Sequence, residues 1–152
     1  MFRRILVATD FAPSAEAAWS SARELARVHG SELLLVHVYV ELPPYAEVGA
    51  AEVQRIYEEQ RRWVQDELDR LAADARAAGL TARALLKVGP PADTITETAR
   101  DEACDLIVVG TQGRSALDRL LIGSVAERVV RHAACPVLVI KTIDRESRRA
   151  AT

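Results

Sequence analysis

The 152-residue chain lacks the marks of several protein classes. It has two cysteines, Cys104 and Cys135, far apart and in no C-x-x-C arrangement. That argues against a disulfide or a cysteine-built metal site, and both lie beside apolar runs, as buried free thiols do. A reducing cytoplasm is the expected location. No apolar run approaches the ~20 residues that cross a bilayer. After Met1-Phe2-Arg3-Arg4, the run Ile5-Leu6-Val7-Ala8 is shorter than the ~7–15 residues of a signal-peptide core, so it reads as a first strand. A net charge of −2 supplies no electrostatic reason to expect nucleic acid or an anionic membrane as partner. The one local basic excess, around Arg145, Arg148 and Arg149, reads as a frayed tail. No lysine stands between Lys87 and Lys141, and no G-x-G-x-x-G follows the first apolar run. These absences exclude a Walker loop and the dinucleotide fingerprint. No linker, low-complexity block or internal repeat is visible.

What is present is an alternation of strand and helix patterns. Residues 5–9 read as a strand ended by Asp10. A helix follows, opened by Pro13-Ser14 with Ser14 as its cap, and Ala17, Ala18, Ser21, Ala22, Leu25 and Val28 recur at helical spacing before Gly30. Leu33-Leu34-Leu35-Val36-His37-Val38 is a continuous apolar run, as expected of a strand covered on both faces. Pro43-Pro44 marks a loop. A long helix over residues 46–78 carries Val53, Tyr57, Val64, Leu68, Leu71, Ala75 and Ala78 on one side, with Gly79 to stop it. Residues 81–88 read as a third strand, 92–103 as a helix with Ile95 and Ala99 inward, 105–109 as a fourth strand, and 125–133 as a helix. A fifth strand over Val137-Leu138-Val139-Ile140 starts after Pro136, a placement that points to a sheet edge. Trp19 and Trp63 read as helix-to-sheet packing. Residues 1–141 form one domain in this reading, and 142–152 a loose tail.

Such alternation predicts an α/β fold: one doubly wound, Rossmann-like parallel sheet of five strands, order 3-2-1-4-5, with helices on both faces. The winding reverses between strands 1 and 4, and ligands of such sheets bind outside the carboxyl ends at that point. Those ends carry Asp10 and Gly110. Gly110 opens the most informative stretch: Gly110-Thr111-Gln112-Gly113, nine further residues, then Gly123-Ser124-Val125. Glycines between a strand end and a helix start let backbone N–H groups reach an anion, so the segment reads as a phosphate site. Gly110 and Gly113 also suit a plain tight turn. Ser124-x-x-Glu127 also fits a capping box, in which the hydroxyl serves only its own helix. Asp10 also suits a turn or helix cap. His37 reads as a core or strand-end residue, and His29 and His132 end helices, where a cation complements the dipole. No catalytic triad or protein-built metal site is apparent.

These residues resemble the universal stress protein family. The resemblance covers nearly the whole chain. It is carried by Ile5-Leu6-Val7-Ala8-Thr9-Asp10, Leu35-Val36-His37-Val38, Gly89 with Pro91, Asp105-Leu106-Ile107-Val108-Val109-Gly110, the spacing G-x2-G-x9-G-Ser, and Ala134-Cys135-Pro136-Val137-Leu138-Val139-Ile140. It implies the family's ATP-binding subgroup. By position, Asp10 would face the ribose, with Ala8 and Thr9 lining the wall and the Val38 backbone meeting the adenine edge. Gly110 and Gly113 would wrap ribose and phosphates, and Gly123, Ser124 and Val125 would cap the phosphates. Gln112 stands where the family often has histidine or arginine, and Arg114 is the nearest replacement cation.

The expected function is ATP binding (ADP and AMP being the other candidate forms) in a stress-response or regulatory role, with weak or no hydrolysis. Phosphoryl transfer needs cationic stabilisation that a site without lysine lacks. Mg²⁺ would be carried by the phosphates. Two alternatives stand beside it: a nucleotide hydrolase or transferase with Asp10 holding Mg²⁺, and a nucleotide-free interaction module. A homodimer through the edge strand Val137–Ile140 is expected, as is a protein partner that the sequence does not identify.

Overall fold

The computed structural model describes residues 1–41, 49–111 and 122–142. Nine elements alternate along them: β1 (Arg4–Ala8), α1 (Pro13–His29), β2 (Glu32–Tyr39), α2 (Ala50–Ala77), β3 (Thr81–Val88), α3 (Pro91–Asp101), β4 (Leu106–Gly110), α4 (Ser124–His132) and β5 (Val137–Ile140). The strands form one parallel sheet in the order β3-β2-β1-β4-β5, as the alternation predicts.

Two apolar layers flank the sheet. On one face Ile5, Val7, Leu33, Leu35, Leu106 and Val108 meet α1 and α2 through Ala18, Trp19, Ala22, Val64, Leu68 and Ala72. On the other, Leu6, Leu34, Val36, Ile107 and Val109 meet α3 and α4 through Ile95, Ala99, Ala126 and Val129. The period-two alternation of strand side chains assigns odd residues of β1 and β2 to the first face and even ones to the second. Each fully buried Leu or Ile contributes about 1.5–3 kcal/mol relative to exposure.

Several local expectations change. Ser14 does not cap α1: Ala12 holds that position in extended backbone and Pro13 is the first helical residue, which places Ser14 one turn position inside and buried. Proline fits there because its missing N–H would have no intrahelical partner anyway. Val28, expected inward, is 79% exposed, because it points away from the stripe of α1 that Ala15, Ala18, Ala22 and Ala26 bury. Trp19 is buried against the sheet, but Trp63 is 54% exposed. Its ring meets Phe11, in the loop after β1, edge-on. Cys104 is buried and Cys135 half-buried, both as free thiols. The start expected for the long helix at 46–48 and the tail from 143 lie outside the described residues.

At the amino-terminal edge an ion network ties the sheet together. Glu32 accepts from Arg4 Nε at 2.7 Å and Arg83 Nε at 2.8 Å, and Arg83 reaches Glu102 at 2.7 Å. The Asp105 carboxylate accepts the Arg3 and Arg4 backbone N–H groups. The opposite, carboxyl-terminal edge carries the candidate site.

Candidate functional site

The site starts where β1 stops. The Thr9 N–H continues the β1–β2 ladder to the Val36 carbonyl at 2.9 Å, and then the chain turns away. Side chains hold that turn. Thr9 Oγ1 accepts the Phe11 N–H at 3.0 Å, and Asp10 Oδ1 accepts the Ala12 N–H at 2.9 Å. The turn role of Asp10 is therefore real, and it engages one carboxylate oxygen. Phe11 sits in left-handed backbone at φ 62, a conformation non-glycine residues seldom adopt and one that clusters at functional sites. Its ring stacks on the His37 imidazole at 5.1 Å and meets Trp63 edge-on at 5.3 Å. His37 Nδ1 lies 2.8 Å from the Thr9 carbonyl oxygen. A carbonyl only accepts, so Nδ1 carries the proton.

Across the switch point, β4 ends at Gly110. The register pairs Val7 with Val108, which, continued, sets Thr9 beside Gly110. Gly110 has a steric reason to be glycine: a β-carbon there would lie 2.6 Å from the backbone C, the O and the Oγ of Ser14. The first turn of α1 and the end of β4 are thus in direct backbone contact. The Thr111 N–H donates to the Ile140 carbonyl, and the Thr111 carbonyl accepts the Gly123 N–H. That second bond brings the start of α4 to the carboxyl end of β4.

Gly123 is the N-cap of α4, with no side-chain cap bond, and Ser124 is the first helical residue. The capping box is therefore not formed. The Glu127 N–H bonds the Gly123 carbonyl, and the Glu127 carboxylate turns along the helix to Arg131 at 2.9 Å. Helix geometry leaves the N–H groups of Ser124, Val125 and Ala126 without intrahelical acceptors and concentrates positive dipole there. Because its own N–H is taken by Thr111, Gly123 contributes the turn rather than a donor. Ser124 and Val125 are exposed.

Val38 completes the other wall. With Ala8 it packs on the α3/α4 side of the sheet. In a parallel strand the N–H and C=O of one residue point to the same neighbour, and the next residue's to the other. Val36 bonds toward β1, and the Tyr39 carbonyl accepts from Gly89 on the β3 side. Val38 therefore directs its backbone groups toward β1, past the point where β1 has turned away. Ala8, Thr9, Asp10, Val38, Gly110, Gly123, Ser124 and Val125 all belong to the carboxyl edge. Gly113 and Arg114, with Gln112, Pro43 and Pro44, lie outside the described residues. Among the described residues no cluster of three or more His, Cys, Asp or Glu could hold a metal ion.

Two features escaped sequence reasoning: the Gly110–Ser14 contact and the Phe11–His37 stack. A histidine at the end of an otherwise apolar strand was the available signal for the second.

Comparison with known proteins agrees with this architecture. A family model described as the universal stress protein family matches residues 1–141. The Thermus aquaticus "Universal stress protein in QAH/OAS sulfhydrylase 3'region" is 37% identical over 143 residues, covering 93% of this chain and 100% of its own. Among solved structures, the hypothetical protein MJ0577 superposes with a TM-score of 0.81 at 27% identity, over 95% of this chain and 99% of that one. MJ0577 comes from Methanocaldococcus jannaschii. A universal stress protein in complex with cAMP gives 0.70 at 28% identity, over 93% and 99%. The Archaeoglobus fulgidus universal stress protein in complex with dAMP gives 0.63 at 26%, over 91% and 98%.

Proposed function

The chain belongs to the universal stress protein family, and from that premise we propose that it binds ATP at the β1/β4 crevice as a regulatory, stress-response protein with little or no hydrolysis. The observation that carries the reading is the Thr111–Gly123 bond, because it sets the donor-rich start of α4 at the strand ends that also present Asp10 and Val38. Phosphate oxygens meet the Ser124 and Val125 N–H groups and the Ser124 hydroxyl, an arrangement that needs no lysine. The ribose faces Asp10, whose second carboxylate oxygen is not used in the turn bond to Ala12. The adenine edge meets the Val38 backbone, and Gly113 and Arg114 follow by position in the family motif. Adenine and a phosphate are common to the cAMP and dAMP bound by two structural neighbours, which supports an adenine nucleotide as ligand.

Backbone dipoles hold a triphosphate but do not supply the cationic clamp and positioned nucleophile of phosphoryl transfer. Nucleotide occupancy is then a signal, with Mg²⁺ arriving on the phosphates. The homodimer pairs β5 with its copy, since β5 is the last strand of the sheet and Leu138 is exposed on it.

Mass spectrometry of ligand released on denaturation, with calorimetric titration of the emptied protein, tests the reading. Released ATP, ADP or AMP, or micromolar affinity for added ATP, is the expected result, and an empty protein with no affinity overturns it. Asp10→Asn separates binding from catalysis, because the amide oxygen still accepts the Ala12 N–H. Weaker binding is expected; abolition of a measurable wild-type turnover would establish the hydrolase reading instead.

A further inference from the structure

We propose that His37 is a positioning residue for the nucleotide base: its imidazole takes over the Thr9 carbonyl, ends the β1–β2 ladder one rung early, and so releases the Val38 N–H toward the crevice. The proposal rests on the adenine-nucleotide reading of this site.

The ladder itself is the starting point. Thr9 N–H to Val36 O is its last backbone rung, at 2.9 Å. Parallel pairing would next join the Val38 N–H to the Thr9 carbonyl, since Val38 has the same orientation as Val36. Among the described residues that rung is not made. The Thr9 carbonyl instead accepts from His37 Nδ1 at 2.8 Å. The substitution solves two problems at once. Thr9 is buried, and a buried carbonyl without a partner is costly. The Val38 amide, meanwhile, stays directed at the gap that β1 vacates on turning into Asp10.

The ring is fixed from outside. Phe11 stacks on it with planes 28° apart, and Trp63 of α2 backs Phe11 edge-on. Phe11 makes this stack from left-handed backbone, and the Thr9 hydroxyl accepts the Phe11 N–H at the same turn. His37 lies on the α1/α2 side of β2, opposite to Ala8 and Val38, so it reaches the base only through the backbone it frees. A purine presents a donor and an acceptor on adjacent atoms of its pairing edge, which is what a free strand backbone recognises.

The test compares wild type, His37→Asn and His37→Leu, with ATP as the probe. The asparagine Nδ2 stands the same number of bonds from the backbone as Nδ1 and can donate to Thr9; leucine cannot. His37→Leu is expected to lower ATP affinity roughly tenfold, and His37→Asn to stay within about threefold of wild type, the scale of one hydrogen bond. Hydrogen exchange of the Val38 amide supplies a readout that general destabilisation would not produce. It should be fast in nucleotide-free wild type, slowed by ATP, and slowed without ATP in His37→Leu as the missing rung closes. Equal affinity in wild type and His37→Leu, or equal loss in both variants, overturns the proposal. If His37→Leu does not fold, ¹⁵N spectra of wild-type His37 decide: a protonated Nδ1 in the neutral ring supports it, and an unprotonated Nδ1 overturns it. Absence of ATP binding in wild type would overturn the nucleotide reading alone, leaving Val38 exchange to judge the role of His37 in the ladder.

Discussion

Gly110 and Ser14 touch backbone to backbone: a β-carbon on Gly110 would sit 2.6 Å from the Ser14 carbonyl carbon and oxygen. This contact locks the end of β4 to the first turn of α1, the two elements on either side of the switch point. The glycine that reads as a phosphate-loop residue is thus required by packing before any ligand arrives.

Gly110→Ala follows directly. Backbone atoms cannot swing aside as a side chain can, so α1 or β4 must shift. The variant is expected to lose about 1–3 kcal/mol in denaturant unfolding, the usual cost of overpacking, and to bind ATP more weakly as the crevice walls part. Unchanged stability with lost binding would place the role of Gly110 in the ligand contact alone.

ATP is expected to stabilise the folded chain. At a concentration of about one hundred times Kd the gain is about 2.7 kcal/mol. For a domain of this size that raises Tm by roughly 5–10 °C. Differential scanning fluorimetry checks it, with GTP as the control expected to shift Tm less because its base presents a different pairing edge.

Alkaline pH should destabilise the protein through Cys104. Burial pushes its thiol from 9.0 up to about 12. Between those values the unfolded chain releases a proton that the folded chain keeps. Stability is therefore fully present below pH 9 and falls as pH rises toward 12, by at most about 1.4 kcal/mol per pH unit. Tyr39, also raised by burial, acts in the same direction. Urea unfolding at stepped pH, in wild type and Cys104→Ala, should show the shallower slope in the variant.

Acid acts at the other edge of the sheet. The hydrogen bond from Arg83 holds the Glu32 carboxyl below its ordinary 4.5, assisted by Arg4 and opposed by burial. A lowered carboxylate contributes stability that is present above 4.5 and lost as pH falls below it. Glu32→Gln is expected to cost about 1 kcal/mol at neutral pH, since these pairs are partly solvated. Its penalty should shrink on acidification, as measured by Tm from pH 7 to 3.

The β5 edge carries the quaternary prediction. Leu138→Lys places a charge on the last strand of the sheet, a common device against edge pairing. Light scattering is expected to give twice the chain mass for wild type and the single mass for the variant. A single mass for wild type at micromolar concentration would count against the dimer.

Sequence alone determined the elements and their order. Apolar runs at Ile5-Leu6-Val7 and Leu33-Leu34-Leu35-Val36, separated by helical spacing, leave few ways to bury both strand faces, and right-handed crossovers fix the rest. The meeting of Asp10 and Gly110 at the carboxyl edge of the sheet was legible for the same reason, because the strand order puts both at one switch point. Tertiary structure decided what local patterns could not reach. Ser14 lost its capping role to Ala12 because the turn at Asp10 sets where helical geometry begins. Ser124 lost its capping box because Gly123 is drawn to Thr111. Val28 and Trp63 are apolar but lie off the stripes that α1 and α2 bury, Ala18-Ala22-Ala26 and Val64-Leu68-Ala72-Ala75, and apolar character alone does not say which face the sheet covers. His37 reads as one more residue of an apolar strand until the chain folds. Only then does it meet Thr9, twenty-eight positions away, and take the place of a backbone rung.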